Sequence, residues 1–80
     1  MRKKSIYSRD YALMLRMLRE ARVRVGMNQS ELAKRLAITQ STVSKCELGE
    51  RRLDLVQVRD WCKALRISFS DFAAEFDENA

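Results

Sequence analysis

Four polar side chains lie close together in this 80-residue sequence and could bind a partner through hydrogen bonds: Gln40, Ser41, Ser44 and Lys45. Residues three and four positions apart are neighbours on a helix, so this spacing places them on one helical face. Amide, hydroxyl and ammonium groups of this kind can reach base edges in a DNA groove. A solvated helix face would carry the same residues, so the pattern alone allows both interpretations.

Two short helical patterns lie back to back around these residues. Asn28 can cap the first, where Glu31 completes a capping box, and Thr39 can cap the second. The inward positions are apolar or small: Leu32, Ala33, Leu36, Ile38, Val43 and Cys46. The join between the patterns is too short for an ordinary loop. The sequence therefore predicts a helix-turn-helix motif at about residues 29–48.

The rest of the chain predicts three further helices. One follows Ser8 and ends near Val25, one follows Asp54, and one follows Ser68 or Ser70. Proline is absent and glycine occurs twice, which favours helices over strands and turns. We expect an all-α fold of five helices over residues 8–76, after a flexible basic N-terminus (1–7) and before an acidic tail (77–80).

The apolar pattern also predicts which side chains are buried in the two longer helices. Leu55 is expected on the core face of the fourth helix. Leu13 and Met17 are expected off the core stripe of the first helix, which is assigned to Tyr11, Met14, Leu15, Leu18, Ala21, Arg22 and Val25.

Charge is distributed unevenly along the chain, whose formal net charge is +5. Residues 1–52 carry 13 Lys and Arg against 5 Asp and Glu, a net charge of +8. Residues 53–80 carry 3 against 6, a net charge of −3. This asymmetry favours a polyanion bound on one side, although a solvated basic surface would look the same.

Several classes of site lack their usual residues. The chain has no histidine and no clustered glycines, so we expect no catalytic residues, no metal site and no cofactor. Cys46 and Cys62 fall on apolar faces and are expected to be buried thiols in a reducing compartment. Neither a membrane segment nor a signal peptide is apparent, so we expect a cytoplasmic protein, associated with the nucleoid through DNA.

The motif residues resemble one known family closely. The segments M-N-Q-S-E-L-A-K-R-L and T-Q-S-T-V-S-K-C-E-L-G resemble the helix-turn-helix of the lambda/Cro repressor family, the Xre-type regulators of bacteria. The resemblance covers roughly Leu15 to Phe72. The segment E-R-R-L-D-L-V-Q resembles, more loosely, the short bacterial members with a single domain. It implies a five-helix repressor-like fold whose second motif helix enters the major groove.

The resemblance also implies roles for individual residues. Gln40 would contact an adenine edge, helped by Ser41, Ser44 and Lys45. DNA phosphates would be bound by a set around the motif: Asn28, Gln29, Thr42, Arg51 and Arg52. Arg22 and Glu47 would form a structural ion pair beneath the recognition helix.

Four positions depart from the family pattern. Ala37 and Arg66 replace usual glycines, so each is expected to adopt a left-handed conformation at some cost. Leu48 stands where a polar residue is common. Two interpretations are open: a single exposed leucine, or part of a contact with a partner. Glu50 puts a negative charge where many relatives carry lysine, which weakens the phosphate role of that loop.

Three functions remain open from the sequence. The first is a transcriptional regulator, with repression favoured, that binds a palindromic operator as a homodimer through Val56, Phe69, Phe72 and Phe76. The second is an antitoxin that binds a toxin and regulates its own operon. The third is a nucleoid-like or scaffold protein without sequence preference. Independently of these functions, the basic residues Arg2 to Lys4 allow two interpretations, an arm along DNA or a disordered start, and the disordered start is favoured.

Overall fold

The computed structural model describes residues 8–80, which fold into five α-helices and contain no strand. The helices are α1 (Arg9–Arg24), α2 (Gln29–Leu36), α3 (Gln40–Glu47), α4 (Leu55–Ala64) and α5 (Phe69–Asn79). The predicted all-α, five-helix fold is therefore confirmed. The expectations for residues 1–7, including the basic arm, lie outside the described residues.

Each helix begins at a polar side chain that accepts a hydrogen bond from a backbone N–H in the first turn. The five caps are Ser8, Asn28, Thr39, Asp54 and Ser68. Full capping boxes form between Asn28 and Glu31 and between Asp54 and Gln57. Such caps satisfy N–H groups that have no partner within the helix.

The first four helices end in the same kind of turn, in which one residue has a positive φ. These residues are Gly26, Ala37, Gly49 and Arg66. After α2, for example, the Ala37 N–H donates to the Lys34 carbonyl at 3.2 Å and the Ile38 N–H donates to the Ala33 carbonyl at 3.0 Å. This pair of bonds defines a Schellman motif. Ala37 and Arg66 adopt the left-handed conformation predicted for them.

One hydrophobic core joins all five helices. Its least exposed large side chains are Leu18, Leu32, Val43, Cys62 and Leu65. Helix α3 packs on α2 and α1, whereas α5 packs on α4 and α1. The core therefore lies between the pair α2–α3 and the pair α4–α5, and α1 contacts both α3 and α5.

Three expectations about burial and one about helix length differ from the structure. Met17 is buried because α5 covers a second side of α1. Leu55 is 71% exposed because it is the first residue of α4, at the end of that helix. Val25, expected in the core stripe, is also exposed as the C-cap of α1. The acidic segment expected to be a tail continues α5 as far as Asn79.

The two thiols are buried, as predicted. Burial raises the pKa of Cys62 to about 11. Burial also raises the pKa of Cys46, where the nearby Arg51 acts in the opposite direction and Glu47 in the same direction. Within the described part of the chain, no helix is both long and apolar enough to cross a membrane.

Candidate nucleic-acid interface

Helix α3 is amphipathic, with its two faces in different surroundings. Val43 and Cys46 on the inner face are buried against α1 and α2. On the outer face, Gln40, Ser41 and Lys45 are exposed, while Thr42 and Ser44 are half-buried at its edges. The four predicted base-contacting side chains are thus brought together on one surface.

A buried ion pair holds the inner side of α3 to α1. Arg22 Nε donates to Glu47 Oε2 at 2.6 Å, and Arg22 Nη2 donates to Glu47 Oε1 at 3.0 Å. The two side chains are only 10% and 6% exposed. Arg22 Nη1 also donates to the Met27 carbonyl at 2.9 Å, so the Arg22 guanidinium holds the turn before α2 as well. A bidentate pair of this kind fixes orientation as well as distance.

Two glutamines extend this pair to the outer face of α3. Gln29 Nε2 donates to Glu47 Oε1 at 2.9 Å, and Gln40 Nε2 donates to Gln29 Oε1 at 2.7 Å. A continuous chain of hydrogen bonds therefore runs from Arg22 through Glu47 and Gln29 to Gln40. Its effect is to fix the amide of Gln40 at the start of α3.

The amide of Gln40 keeps hydrogen-bonding capacity after this contact. A primary amide has two N–H donors and an oxygen with two lone pairs. One N–H is engaged with Gln29, so the second N–H and the oxygen can meet an exposed ligand. This is the donor and acceptor pair that matches the major-groove edge of adenine.

The N-terminus of α2 lies beside this amide chain. Asn28 Oδ1 accepts from the Glu31 N–H at 2.8 Å, and Glu31 Oε1 accepts from the Asn28 N–H at 2.9 Å. The capping oxygen of Asn28 is therefore occupied, and its NH₂ is the group that could meet an anion. Thr42 shares a 2.8 Å hydrogen bond with the Thr39 hydroxyl.

The loop after α3 carries the two arginines predicted to bind phosphate, in different settings. Arg51 is exposed next to the end of α3. Arg52 lies over the ring of Tyr11, with the guanidinium carbon 4.4 Å from the ring centroid. The Tyr11 hydroxyl accepts from the Leu53 N–H at 2.9 Å, so this part of the loop is held to α1.

Known proteins share both the motif and the fold. A helix-turn-helix family model matches residues 18–72. The solved structure of an XRE-family like protein from Pseudomonas syringae pv. tomato str. DC3000 is 36% identical. It superposes with a TM-score of 0.86, over 90% of this chain and 88% of that chain. The chain belongs to the XRE-type helix-turn-helix family.

This membership gives the surface around α3 a general function. An XRE-type protein is a DNA-binding transcriptional regulator, and α2 and α3 are the two helices of its motif.

No curated protein matches the sequence. Among residues 8–80, no group of three or more His, Cys, Asp or Glu side chains is placed to hold a metal ion.

One of the four predicted dimer residues of this XRE-type protein is not exposed. Phe72 is only 7% exposed and belongs to the core, so it is not available to a partner. Phe69 and Phe76 are partly buried against the core, and Val56 is exposed at the start of α4. Phe69 and Phe76 line a groove of about 280 Å³ between α1, α4 and α5.

The sequence did not predict the bridging position of Gln29. From the resemblance, Gln29 was expected to bind a phosphate, whereas the structure also places it between Glu47 and Gln40. The three residues are 18 and 11 positions apart, so no helical spacing connects them. The sequence feature that could have indicated this position is the short turn, because it brings Gln29 and Gln40, the first residues of α2 and α3, together.

Proposed function

We propose that this XRE-type regulator is a repressor that binds a palindromic operator as a homodimer. Helix α3 enters the major groove of each half-site, and Gln40, Ser41, Ser44 and Lys45 contact base edges. The observation that supports this most strongly is the exposed outer face of α3, held from behind by the buried Arg22–Glu47 pair. The protein then resides in the cytoplasm, on the nucleoid.

Gln40 is proposed as the main specificity residue. Its oxygen accepts from adenine N6 and its second N–H donates to N7, while its first N–H stays with Gln29. Because Gln29 already fixes the amide, little side-chain freedom is lost on binding. A bidentate contact of this type discriminates against other bases by about 1–3 kcal/mol.

Affinity is proposed to come from contacts to phosphates. Asn28 presents its side-chain NH₂ and Gln29 the second N–H of its amide at the N-terminus of α2, where the helix dipole favours an anion. Thr42 and Arg51 extend the contacts along α3 and its loop, and Arg52 joins them from its position over Tyr11. These contacts orient the protein on the duplex but carry no sequence information.

A dimer follows from the small size of the reading surface. One α3 helix spans few base pairs, and related motifs reach specificity by placing two recognition helices about 34 Å apart. The proposed dimer surface combines Val56 with the edges of Phe69 and Phe76. Phe72 supports this surface from the core.

The test is selection of bound duplexes from a random DNA pool, repeated with Gln40→Ala and with Arg51→Ala. We expect the wild-type protein to select a palindrome and Gln40→Ala to lose one base preference in each half-site. Arg51→Ala should weaken all sequences alike and reduce the slope of log affinity against log salt by about 0.9. Equal binding of selected and random DNA by the wild-type protein would exclude sequence-specific repression.

An antitoxin is the alternative function, supported by the exposed apolar residues Leu55 and Val56 at the start of α4. A toxin bound there would leave α3 accessible for autoregulation. Co-expression with a small neighbouring reading frame tests this alternative. A stable complex that is lost in Leu55→Asp, with operator binding retained, would favour it over a free-standing repressor.

A further inference from the structure

Leu48 is an apolar residue on an otherwise polar surface. Its side chain is 57% exposed although it directly follows α3. Its backbone remains helical, with φ −81° and ψ −7°, and its N–H donates to the Ser44 carbonyl at 3.0 Å. Leu48 therefore continues the helix by one residue.

Helical geometry places Leu48 on the outer face of α3. An α-helix returns to within about 20° of the same direction after seven residues, so Leu48 points in nearly the same direction as Ser41. It lies about 10 Å further along the helix axis, a length of about three base-pair steps. Val43 and Cys46, by contrast, point into the core.

The backbone after Leu48 fixes its position. Gly49 has a φ of 81°, and its N–H donates to the Cys46 carbonyl at 3.1 Å. The Glu50 N–H donates to the Lys45 carbonyl at 2.9 Å. These two bonds form a Schellman motif, which turns the chain away from the α3 axis immediately after Leu48.

A DNA major groove presents one apolar group to such a side chain, the C5-methyl of thymine. A leucine side chain cannot donate to a phosphate or to a base edge, so a methyl is the chemistry that it fits. We propose that Leu48 packs against the C5-methyl of a thymine and selects that base at the end of each half-site. The inference rests on the proposed entry of α3 into the major groove and adds a second base preference to that of Gln40.

The experiment removes the methyl group alone. Each thymine of the selected operator is replaced in turn by deoxyuridine, and binding by the wild-type protein and by Leu48→Ala is measured. At one position we expect deoxyuridine to weaken wild-type binding about fourfold, the factor that burial of one methyl-sized group implies. At that position Leu48→Ala should bind thymine and deoxyuridine equally.

Leu55→Ala is the matched control, because Leu55 is an exposed leucine on another helix, at the start of α4, where it lines the groove with Phe69 and Phe76. It should retain the wild-type response to deoxyuridine. The inference is overturned if no deoxyuridine position distinguishes wild type from Leu48→Ala, or if Leu48→Ala changes only the oligomeric state. If Gln40→Ala still loses a base preference in that case, the proposed function stands and only the role of Leu48 fails. A protein with no sequence preference would overturn both.

Discussion

Two turns in this molecule are nearly identical, and they lead to helices of opposite character. Leu36-Ala37-Ile38-Thr39 joins α2 to α3, and Leu65-Arg66-Ile67-Ser68 joins α4 to α5. In both turns the second residue is left-handed, with φ values of 57° and 62°. In both turns the fourth residue caps the next helix. The local backbone is therefore repeated.

The helices after these turns differ in their outer faces. Helix α3 buries Val43 and Cys46 and exposes polar residues, with Glu47 neutralised by Arg22. Helix α5 directs three phenylalanines towards the core and carries four acidic residues and no basic one: Asp71, Glu75, Asp77 and Glu78. An acidic helix is repelled by phosphates. The comparison shows that side chains after the turn, and not the turn itself, give the two helices different outer surfaces.

The largest expected effect tests the structural role of α5. Val43 and Phe72 each lie four residues after a cap and are both buried, and phenylalanine is the larger side chain. Phe72→Ala should lower the free energy of unfolding by about 3–5 kcal/mol, since it leaves a cavity in the core. Ser41→Ala on the outer face of α3 should change it by less than about 0.5 kcal/mol. Urea denaturation measures the free energy of unfolding of both variants. Similar losses would contradict the distinction between the core face of α5 and the outer face of α3.

The next effect tests how α3 is held. Arg22→Ala leaves Glu47 buried without its cationic partner, with Gln29 as its remaining side-chain donor, so the free energy of unfolding should fall by about 3 kcal/mol. DNA affinity should fall as well, because α3 is no longer fixed. Arg59→Ala is the control: Arg59 pairs with Asp60 at 3.1 Å in an exposed position, and its loss should cost at most about 1 kcal/mol. Near-wild-type affinity of Arg22→Ala in a gel-shift assay would contradict this role.

A smaller effect tests the two turns themselves. Ala37→Gly and Arg66→Gly should each raise the free energy of unfolding by about 0.5–1 kcal/mol, because glycine relieves the left-handed strain and this outweighs its larger entropy loss. Gly26→Ala provides the reverse change. Its added Cβ would meet no atom within 4 Å, so a loss of about 1 kcal/mol reports backbone strain alone. Unequal responses of Ala37 and Arg66 in thermal unfolding would show that the turns are not energetically equivalent.

The smallest effect at neutral pH concerns Cys62 on α4. Its pKa is raised from 9.0 to about 11 in the folded protein. Below about pH 9 the thiol is protonated in both states, and between pH 9 and 11 the unfolded chain ionises first. The free energy of unfolding should therefore fall as pH rises through this window. The fall should be less steep in Cys62→Ala, measured by urea denaturation at pH 8, 9 and 10; equal slopes would exclude this contribution.

Much of the fold could be predicted from local signals. The caps at Asn28, Thr39 and Asp54 depend on side chains next to the N–H groups that they satisfy, so the sequence alone locates them. Burial of Met17 could not be predicted this way, because it depends on α5, more than fifty residues later in the chain. Leu55 was misplaced because helical periodicity does not show where a helix extends beyond the core.

The candidate site was predictable to a similar degree. The exposed face of α3 follows from helical spacing, and the Arg22–Glu47 pair was expected from the family resemblance. The links from Glu47 to Gln29 and from Gln29 to Gln40 were not expected, because side-chain hydrogen bonds across a turn depend on its three-dimensional geometry.

The separation between the two sides of α3 has a consequence for protein engineering. Val43, Cys46 and Glu47 anchor the helix, and none of them lies on its outer face. Ser41, Ser44, Lys45 and Leu48 could therefore be exchanged as a block for residues with other base preferences, while the scaffold stays unaltered. Gln40 differs from these four residues, because its hydrogen bond to Gln29 joins it to the chain of hydrogen bonds that leads to Glu47 and Arg22.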